Sequence, residues 1–303
     1  MRVAAIDCGT NSIRLLIADV SGGRLTDVAR RLELVRLGAG VDRTGRLAPA
    51  AIERTRLALL GYAAEIAELG IERVRMVATS ASRDASNAGD FRAMVRSVLG
   101  VDPEVISGEE EARLSFTGAV NGLTAEGPYL VVDIGGGSTE FVTGSGSVEA
   151  AISMDIGCVR MTERHLRSDP PTAAEIAAAE KDITDAVDAA LAAVSGRTAR
   201  TLVGLAGSVT TVTALALDLP GYDAARIHHA RVSLDDVRRV TGDLLAMSVH
   251  RRRELPVMHP GRADVIGAGA LILRIILERS GMDAVVASEH DILDGIAYGI
   301  AGM

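Results

Sequence analysis

The sequence predicts an α/β protein of two domains, each a mixed β-sheet with flanking helices, set around an interdomain cleft. Three observations predict it. Strand-like and helical segments alternate along most of the chain. An aspartate-led, glycine-bearing hairpin stands at the N-terminus and a second like it near the middle. At 303 residues the chain is too long for one comfortable core and suits two, taking about 150 residues per domain as a soft prior.

Residues 3–7 read as an apolar strand ending on Asp7, followed by the turn Cys8-Gly9-Thr10-Asn11-Ser12 and a second apolar strand over 13–20. Residues 30–41 are another extended stretch. A helix is predicted over 49–69, with Ile52, Leu59, Ala63 and Ile66 at helical spacing and Gly70 as its stop. A strand over 74–79, a loop over 80–90, a helix over 91–99 and a short strand over 103–106 follow. Ser107 and Glu110 carry the spacing of a capping box, so a helix should start there and run to about residue 120, with Glu111 in its first turn. Strands over 129–133 and 139–143 flank Gly135-Gly136-Gly137 and mirror the opening hairpin. A second capping box, Thr172 with Glu175, opens an alanine-rich helix to about residue 194. A strand over 202–205 leads through Gly207-Ser208 directly into a helix; another helix begins at Ser233, and Arg251-Arg252-Arg253 read as a solvated basic loop. An apolar helix over 265–277, a strand over 284–287 and a helix from about Asp291 close the chain. No linker stands out, so the boundary is placed where the first capped helix ends, giving domains 1–118 and 119–303, the last helix being able to pack back on the first domain.

Composition excludes several function classes. With 48% apolar and 24% charged residues the chain can bury a large core, and no run approaches the ~18 apolar residues of a membrane span. A formal charge of −8, aromatics at 2% and no tryptophan argue against nucleic acid as a partner. Asp7 interrupts the start before an apolar signal region can develop, and the chain is read as cytoplasmic. Cys8 and Cys158 lie far apart without metal-ligand spacing and read as small buried hydrophobes. Positive charge is nearly all arginine, Lys181 being the sole lysine, and arginine grips phosphate bidentately.

The chemistry is concentrated in Asp7-Cys8-Gly9-Thr10-Asn11-Ser12 and Asp133-Ile134-Gly135-Gly136-Gly137-Ser138-Thr139-Glu140. Each sets an aspartate at a strand end, glycine two residues on and hydroxyls close behind. Glycine turns let backbone N–H groups approach an anion, hydroxyls add donors, and a strand-end aspartate can hold Mg²⁺ against bound phosphate. Either turn alone is also an ordinary hairpin tip. The pair together, with Gly207-Ser208 ahead of a helix as a third phosphate-facing element, points to a phosphate chain clamped in the cleft. His228, His229 and His259 have no metal spacing.

These turns resemble those of the acetate kinase, sugar kinase, Hsp70 and actin superfamily. More narrowly, the stretches AIDCGTNSIRLLI (5–17), ATSASRDASN (78–87), SGEEEARLSFTGA (107–119), VVDIGGGSTEFV (131–142), GLAGSVTT (204–211) and MHPGRADVIGAGALIL (258–273) resemble the exopolyphosphatase and guanosine pentaphosphate phosphohydrolase (Ppx/GppA) family, in the family's order. The resemblance implies two actin-like, ribonuclease H-like domains. It makes Glu111 the catalytic glutamate that activates water, Asp133 and Glu140 carboxylates of an Mg²⁺ (or Mn²⁺) site with Asp7 a further candidate, and Gly135, Gly136, Gly137 and Ser138 the phosphate cradle. Arg83 matches an arginine on substrate phosphate; Asn11, Ser12 and Arg14 belong to the first hairpin, where Thr10 stands in place of the serine of many members. The C-terminal HD-type domain of many members has no counterpart in these 303 residues, and a homodimer is implied by family likeness alone. The expected activity is exopolyphosphatase, Mg²⁺-dependent release of the terminal phosphate of inorganic polyphosphate. The alternative substrate is guanosine pentaphosphate (pppGpp), converted to the tetraphosphate. An ATP-dependent kinase and a non-catalytic, filament-forming nucleotide binder are competing readings. ATP-independent phosphate release would exclude the first, and assembly that is indifferent to Glu111 would support the second.

Overall fold

The computed structural model describes residues 1–302. The chain divides into two compact units, one of Met1–Gly118 with the C-terminal stretch from Ile292, the other of Ala119–Asp291.

In the first unit β1 (Arg2–Cys8) and β2 (Ile13–Ser21) form the apolar hairpin expected, and β3 (Arg24–Glu33) extends it as an antiparallel ribbon. The β2–β3 turn places Gly22 and Gly23 at φ 56° and 78°, the left-handed backbone that a two-residue hairpin requires. The extended stretch expected over 30–41 thus starts earlier and stops at Glu33. Its arginines and acids suit an exposed sheet edge, where charge discourages further pairing. After the short α1 (Val41–Thr44), α2 (Pro49–Glu68) buries Ala51, Thr55, Leu59, Tyr62 and Ile66 along one face. β4 (Val74–Ala78) runs parallel to β1. The segment expected as a loop over 80–90 is mostly helical, as α3 (Ser80–Asp84) and the start of α4 (Ala88–Leu99). Its Ser- and Asn-rich composition reads as a turn, but the N–H groups of Ser82 and Arg83 close it onto the Thr79 carbonyl. β5 (Glu104–Val105) pairs parallel with β4, giving the order β3-β2-β1-β4-β5, and α5 (Gly108–Val120) follows. The Ser107 hydroxyl accepts the Glu110 N–H at 3.2 Å, the helix start read from the sequence.

The second unit repeats the plan. β6 (Tyr129–Ile134), β7 (Thr139–Gly144) and β8 (Val148–Met154) are antiparallel neighbours. Neither β8 nor the next helix, α6 (Cys158–His165), stands out in the sequence, because each is short, seven and eight residues. α7 (Ala173–Ala193) carries the reciprocal capping box of Thr172 and Glu175 as expected. β9 (Thr201–Leu205) runs parallel to β6 and passes straight into α8 (Ala206–Ala216). The elements α9 (Ala224–Ile227), β10 (Arg231–Ser233), α10 (Leu234–Ala246), α11 (Val249–Arg253), α12 (Ile266–Ser280) and β11 (Ala284–Ala287) complete it, in the sheet order β10-β11-β9-β6-β7-β8. The apolar α12 is buried nearly all round, as its sequence requires. The basic run 251–253 is a helix rather than a solvated loop. Arg252 is buried and donates to the carbonyls of Leu244 and Ala263, which satisfies a guanidinium that burial alone would penalise.

The last helix, α13 (Ile292–Ile300), packs in the first unit on β1 and β2, with Leu293, Ile296 and Ala297 against Val3, Ala5 and Leu16. Gly295 meets α5 so closely that a β-carbon there would lie 2.0 Å from the Leu114 carbonyl oxygen. Arg30 of β3 donates to the buried Asp294 carboxylate at 2.8 Å. No described helix is long and apolar enough to cross a membrane.

Candidate active site

The two hairpins correspond residue for residue. Asp7 faces Arg14 across β1–β2, and Asp133 faces Glu140 across β6–β7. In each the turn is closed by the same bond, Gly9 N–H to the Ser12 carbonyl at 2.9 Å and Gly135 N–H to the Ser138 carbonyl at 3.0 Å. What differs is the partner of the aspartate. Arg14 donates through Nε and Nη2 to the Asp7 Oδ2 at 3.1 and 2.7 Å. The second hairpin sets two buried carboxylates, Asp133 and Glu140, directly opposite one another on one face of the sheet, with the Ser153 hydroxyl donating to Glu140 at 2.8 Å. Like charges in that register are unfavourable unless a cation lies between them or beside them. Among the described residues no group of three or more His, Cys, Asp and Glu is arranged to hold a metal ion. A hard divalent cation such as Mg²⁺ nevertheless fits a pair of this kind, because it commonly takes one or two carboxylates and completes its shell with water and substrate phosphate.

The glycine turn of the second hairpin is held from behind. The carbonyl of Gly135 accepts the Cys158 N–H at 2.9 Å, and that of Gly136 accepts the N–H groups of Val159 and Arg160 at 2.9 and 3.1 Å. The Gly137 carbonyl accepts Arg160 Nε at 2.6 Å. In a planar trans peptide the following N–H points opposite to the carbonyl, so the N–H groups of Gly136, Gly137 and Ser138 all face away from α6. Such a run of N–H groups is an anion-binding surface. In the first hairpin the carbonyls of Thr10 and Asn11 accept the N–H groups of Gly38 and Arg36 at 2.8 and 2.9 Å, which turns the N–H groups of Asn11 and Ser12 the other way. The Thr10 hydroxyl is hydrogen-bonded to that of Ser80 at 2.8 Å, both buried.

Glu111 is the buried member of three successive glutamates, 8% exposed in the first turn of α5. Glu109 pairs with Arg113 and Glu110 lies 3.7 Å from Arg75, both toward the outside, as positions ~100° apart on a helix require. Arg83 Nη1 sits 3.3 Å from Glu111 Oε2 and donates to the Ile106 carbonyl at 2.9 Å. The arginine read as a phosphate contact therefore also supplies the positive charge beside the buried glutamate, offsetting the cost of burying it. A carboxylate held in this way can take a proton from water.

The third phosphate-facing element is arranged differently from the expectation. Ser208 is buried against Gly269, where a β-carbon would lie 2.3 Å from its hydroxyl oxygen. The Gly207 α-carbon is covered by the Arg262 guanidinium, 2.1 Å from where a β-carbon would be. Arg262 also donates to the Thr211 hydroxyl at 2.8 Å. Beside the first turn of α8 thus stands an arginine that sequence reasoning did not single out, although it lies in the quoted MHPGRAD stretch. Ala206 ahead of it has φ 64°, a left-handed backbone that costs a non-glycine residue about 1–2 kcal/mol, strain of the sort that gathers at functional loops. Both cysteines are buried and free; burial pushes each thiol up, with Asp7 adding to the effect at Cys8 and a hydrogen bond to Ser208 opposing it at Cys158. His259 caps a short turn through the Gly261 N–H; the His228 ring stacks on that of His229 with centres 3.7 Å apart and is tilted against that of His290 at 4.4 Å.

The comparisons with known proteins bear on the chain as a whole. The model of the Ppx/GppA phosphatase family matches residues 16–302. The Mycobacterium tuberculosis protein named exopolyphosphatase 2 is 54% identical over 315 aligned residues, covering 99% of both chains. The crystal structure of an exopolyphosphatase-like protein superposes with a TM-score of 0.95 at 45% identity, over 97% of this chain and 96% of the other. That of the Aquifex aeolicus Ppx/GppA family member does so with a TM-score of 0.81 at 33% identity, over 100% and 97%. With its paired hairpins and full-length likeness to these relatives, the chain belongs to the Ppx/GppA phosphatase family.

Proposed function

We propose that the chain is an exopolyphosphatase that releases orthophosphate from the end of inorganic polyphosphate. The observation that carries this reading is Glu111, the single buried acid of its run, held by Arg83 in the first turn of α5. Its place supports a water-activating base. The 54% identity to a protein named exopolyphosphatase 2 supports the substrate class.

In this reading each unit offers N–H groups suited to non-bridging phosphate oxygens, those of Gly136, Gly137 and Ser138 in one and those of Asn11 and Ser12 in the other. Arg262 and Arg83 add positive charge. Glu111 accepts a proton as a water oxygen bonds to the terminal phosphorus; the bridging P–O bond breaks, orthophosphate leaves, and the shortened chain keeps the bridging oxygen. Asp133 and Glu140 would hold the divalent cation, Mg²⁺ or Mn²⁺, whose contribution when bound is to neutralise phosphate charge. Asp7 stays with Arg14 as a support of the first turn.

The test is orthophosphate release from long polyphosphate, tripolyphosphate, pppGpp and ATP, with Mg²⁺ present and absent. The expected result is the highest kcat/KM on polyphosphate, dependent on the cation and needing no ATP. A strong preference for pppGpp would transfer the function to the nucleotide, which ends in the same kind of anhydride chain. Absence of release from either would overturn it.

A further inference from the structure

In the proposed function phosphate is bound by the N–H groups of the Gly135–Gly136–Gly137 turn. Glycine adopts either sign of φ at little cost, so the peptides of this turn have no intrinsic reason to face one way. A flipped Gly137–Ser138 peptide would point a carbonyl oxygen, rather than an N–H, at the phosphate. Something outside the turn must select the orientation.

α6 makes that selection. Its first N–H groups occupy the carbonyls of Gly135 and Gly136. The Gly137 carbonyl lies beyond their reach and is taken instead by a side chain, Arg160 Nε at 2.6 Å. The Arg160 side chain is 12% exposed, and its Nη2 lies 3.8 Å from the exposed Asp155. The approach is close: a β-carbon on Gly157, the residue before α6, would lie 2.4 Å from the Gly136 carbonyl oxygen. Gly157 itself has φ −147°, ordinary extended backbone, so lack of space rather than conformation calls for glycine there.

We propose that Arg160 is a positioning residue of the phosphate turn, acting through its Nε–H on the Gly137 carbonyl so that the Ser138 N–H faces the substrate. The proposal rests on the exopolyphosphatase reading for the identity of that substrate, but its geometry concerns any phosphate bound at the turn. The guanidinium charge is secondary; what matters is a donor at the fourth atom out from Cα. That distinction can be tested, because glutamine places its amide nitrogen at the same position along the side chain, and methionine places a methyl group there.

The experiment measures Kd for orthophosphate, KM and kcat for polyphosphate, and Tm for the wild type, Arg160→Gln and Arg160→Met. R160M is expected to weaken orthophosphate binding and raise KM by about tenfold, the effect of losing one strong hydrogen bond, with a smaller change in kcat and a Tm close to wild type. R160Q is expected to recover most of that loss. If R160Q is as impaired as R160M, the charge and not the donor matters and the proposal fails. It also fails if R160M binds like wild type, or if its loss of binding comes with a large fall in Tm, the mark of a structural role. A wild-type chain that binds orthophosphate yet releases none from polyphosphate would defeat the activity reading alone; the contrast between the two variants in orthophosphate binding would still decide the role of Arg160.

Discussion

Asp7 and Asp133 occupy equivalent places in two hairpins yet face opposite charges, and in the proposed reading the cation goes to the second hairpin. Asp133→Asn and Glu140→Gln should each raise the Mg²⁺ concentration for half-maximal activity by about tenfold or more, whereas Asp7→Asn should move it far less. Mg²⁺ titrations of orthophosphate release check this, and equal shifts for all three would contradict it. At Gly207 a methyl group would displace the Arg262 guanidinium, the flexible end of a side chain, rather than backbone. Gly207→Ala should therefore raise KM several-fold while leaving Tm nearly unchanged, as steady-state kinetics beside a thermal melt would show. Much of this was legible in the sequence. The hairpin aspartates and turn glycines stand at recognisable spacings; the family resemblance singles out Glu111, and helical geometry adds that Glu109 and Glu110 point elsewhere. Arg262 was not legible, because its place depends on a contact with Gly207 on a different element, which no local spacing encodes. The Arg14–Asp7 pair was hidden for a similar reason: cross-strand register decides which side chain faces the aspartate.

Among the elements, the long or capped helices are legible in the sequence. α2, α5 and α7 announce themselves by helical spacing or by Ser/Thr with Glu three residues on, and α12 by its long apolar run. Short elements whose partners lie elsewhere are not. α3 looks like a loop because Ser and Asn favour turns, and α11 looks like a solvated basic run until Arg252 finds two backbone carbonyls. β8 and α6 are not legible in the sequence, although α6 holds the Gly135–Gly137 turn. Close packing between elements has its own test. Gly295→Ala sets a β-carbon against the Leu114 carbonyl, where backbone and not a flexible side chain must move. It should destabilise the protein by about 1–3 kcal/mol, as overpacking does. A shifted urea midpoint at unchanged slope would register this, and a midpoint equal to wild type would show that α13 and α5 can separate freely.

For the chain as a whole, two units of like topology were foreseen from paired hairpins and length, while the detailed supports of each turn were not. Stability of the whole should carry two signatures of pH. Glu175, whose carboxylate accepts the Thr172 N–H and further bonds from Thr172 and Ser168, is held down at about 2. Its contribution is present above the ordinary glutamate value of ~4.3 and is lost as pH falls from there toward about 2. Burial, with His290 adding, holds His229 below the ordinary imidazole value. The unfolded chain then takes up a proton that the folded chain resists, so this contribution is complete above ~6.5 and is lost as pH falls through that value. His229→Asn keeps a residue type that tolerates the positive φ of 63° and removes the titration. It should flatten the fall of the urea midpoint between about pH 7.5 and 5.5, and an unaltered fall would contradict the assignment. In the proposed reading the activity of the whole rests on Glu111, and Glu111→Gln tests that most directly. Orthophosphate release from polyphosphate should fall by about 10²-fold or more with KM within a few-fold of wild type, the loss expected of a general base that does not hold substrate. A variant that keeps a tenth or more of the wild-type kcat would show that some other group directs the water.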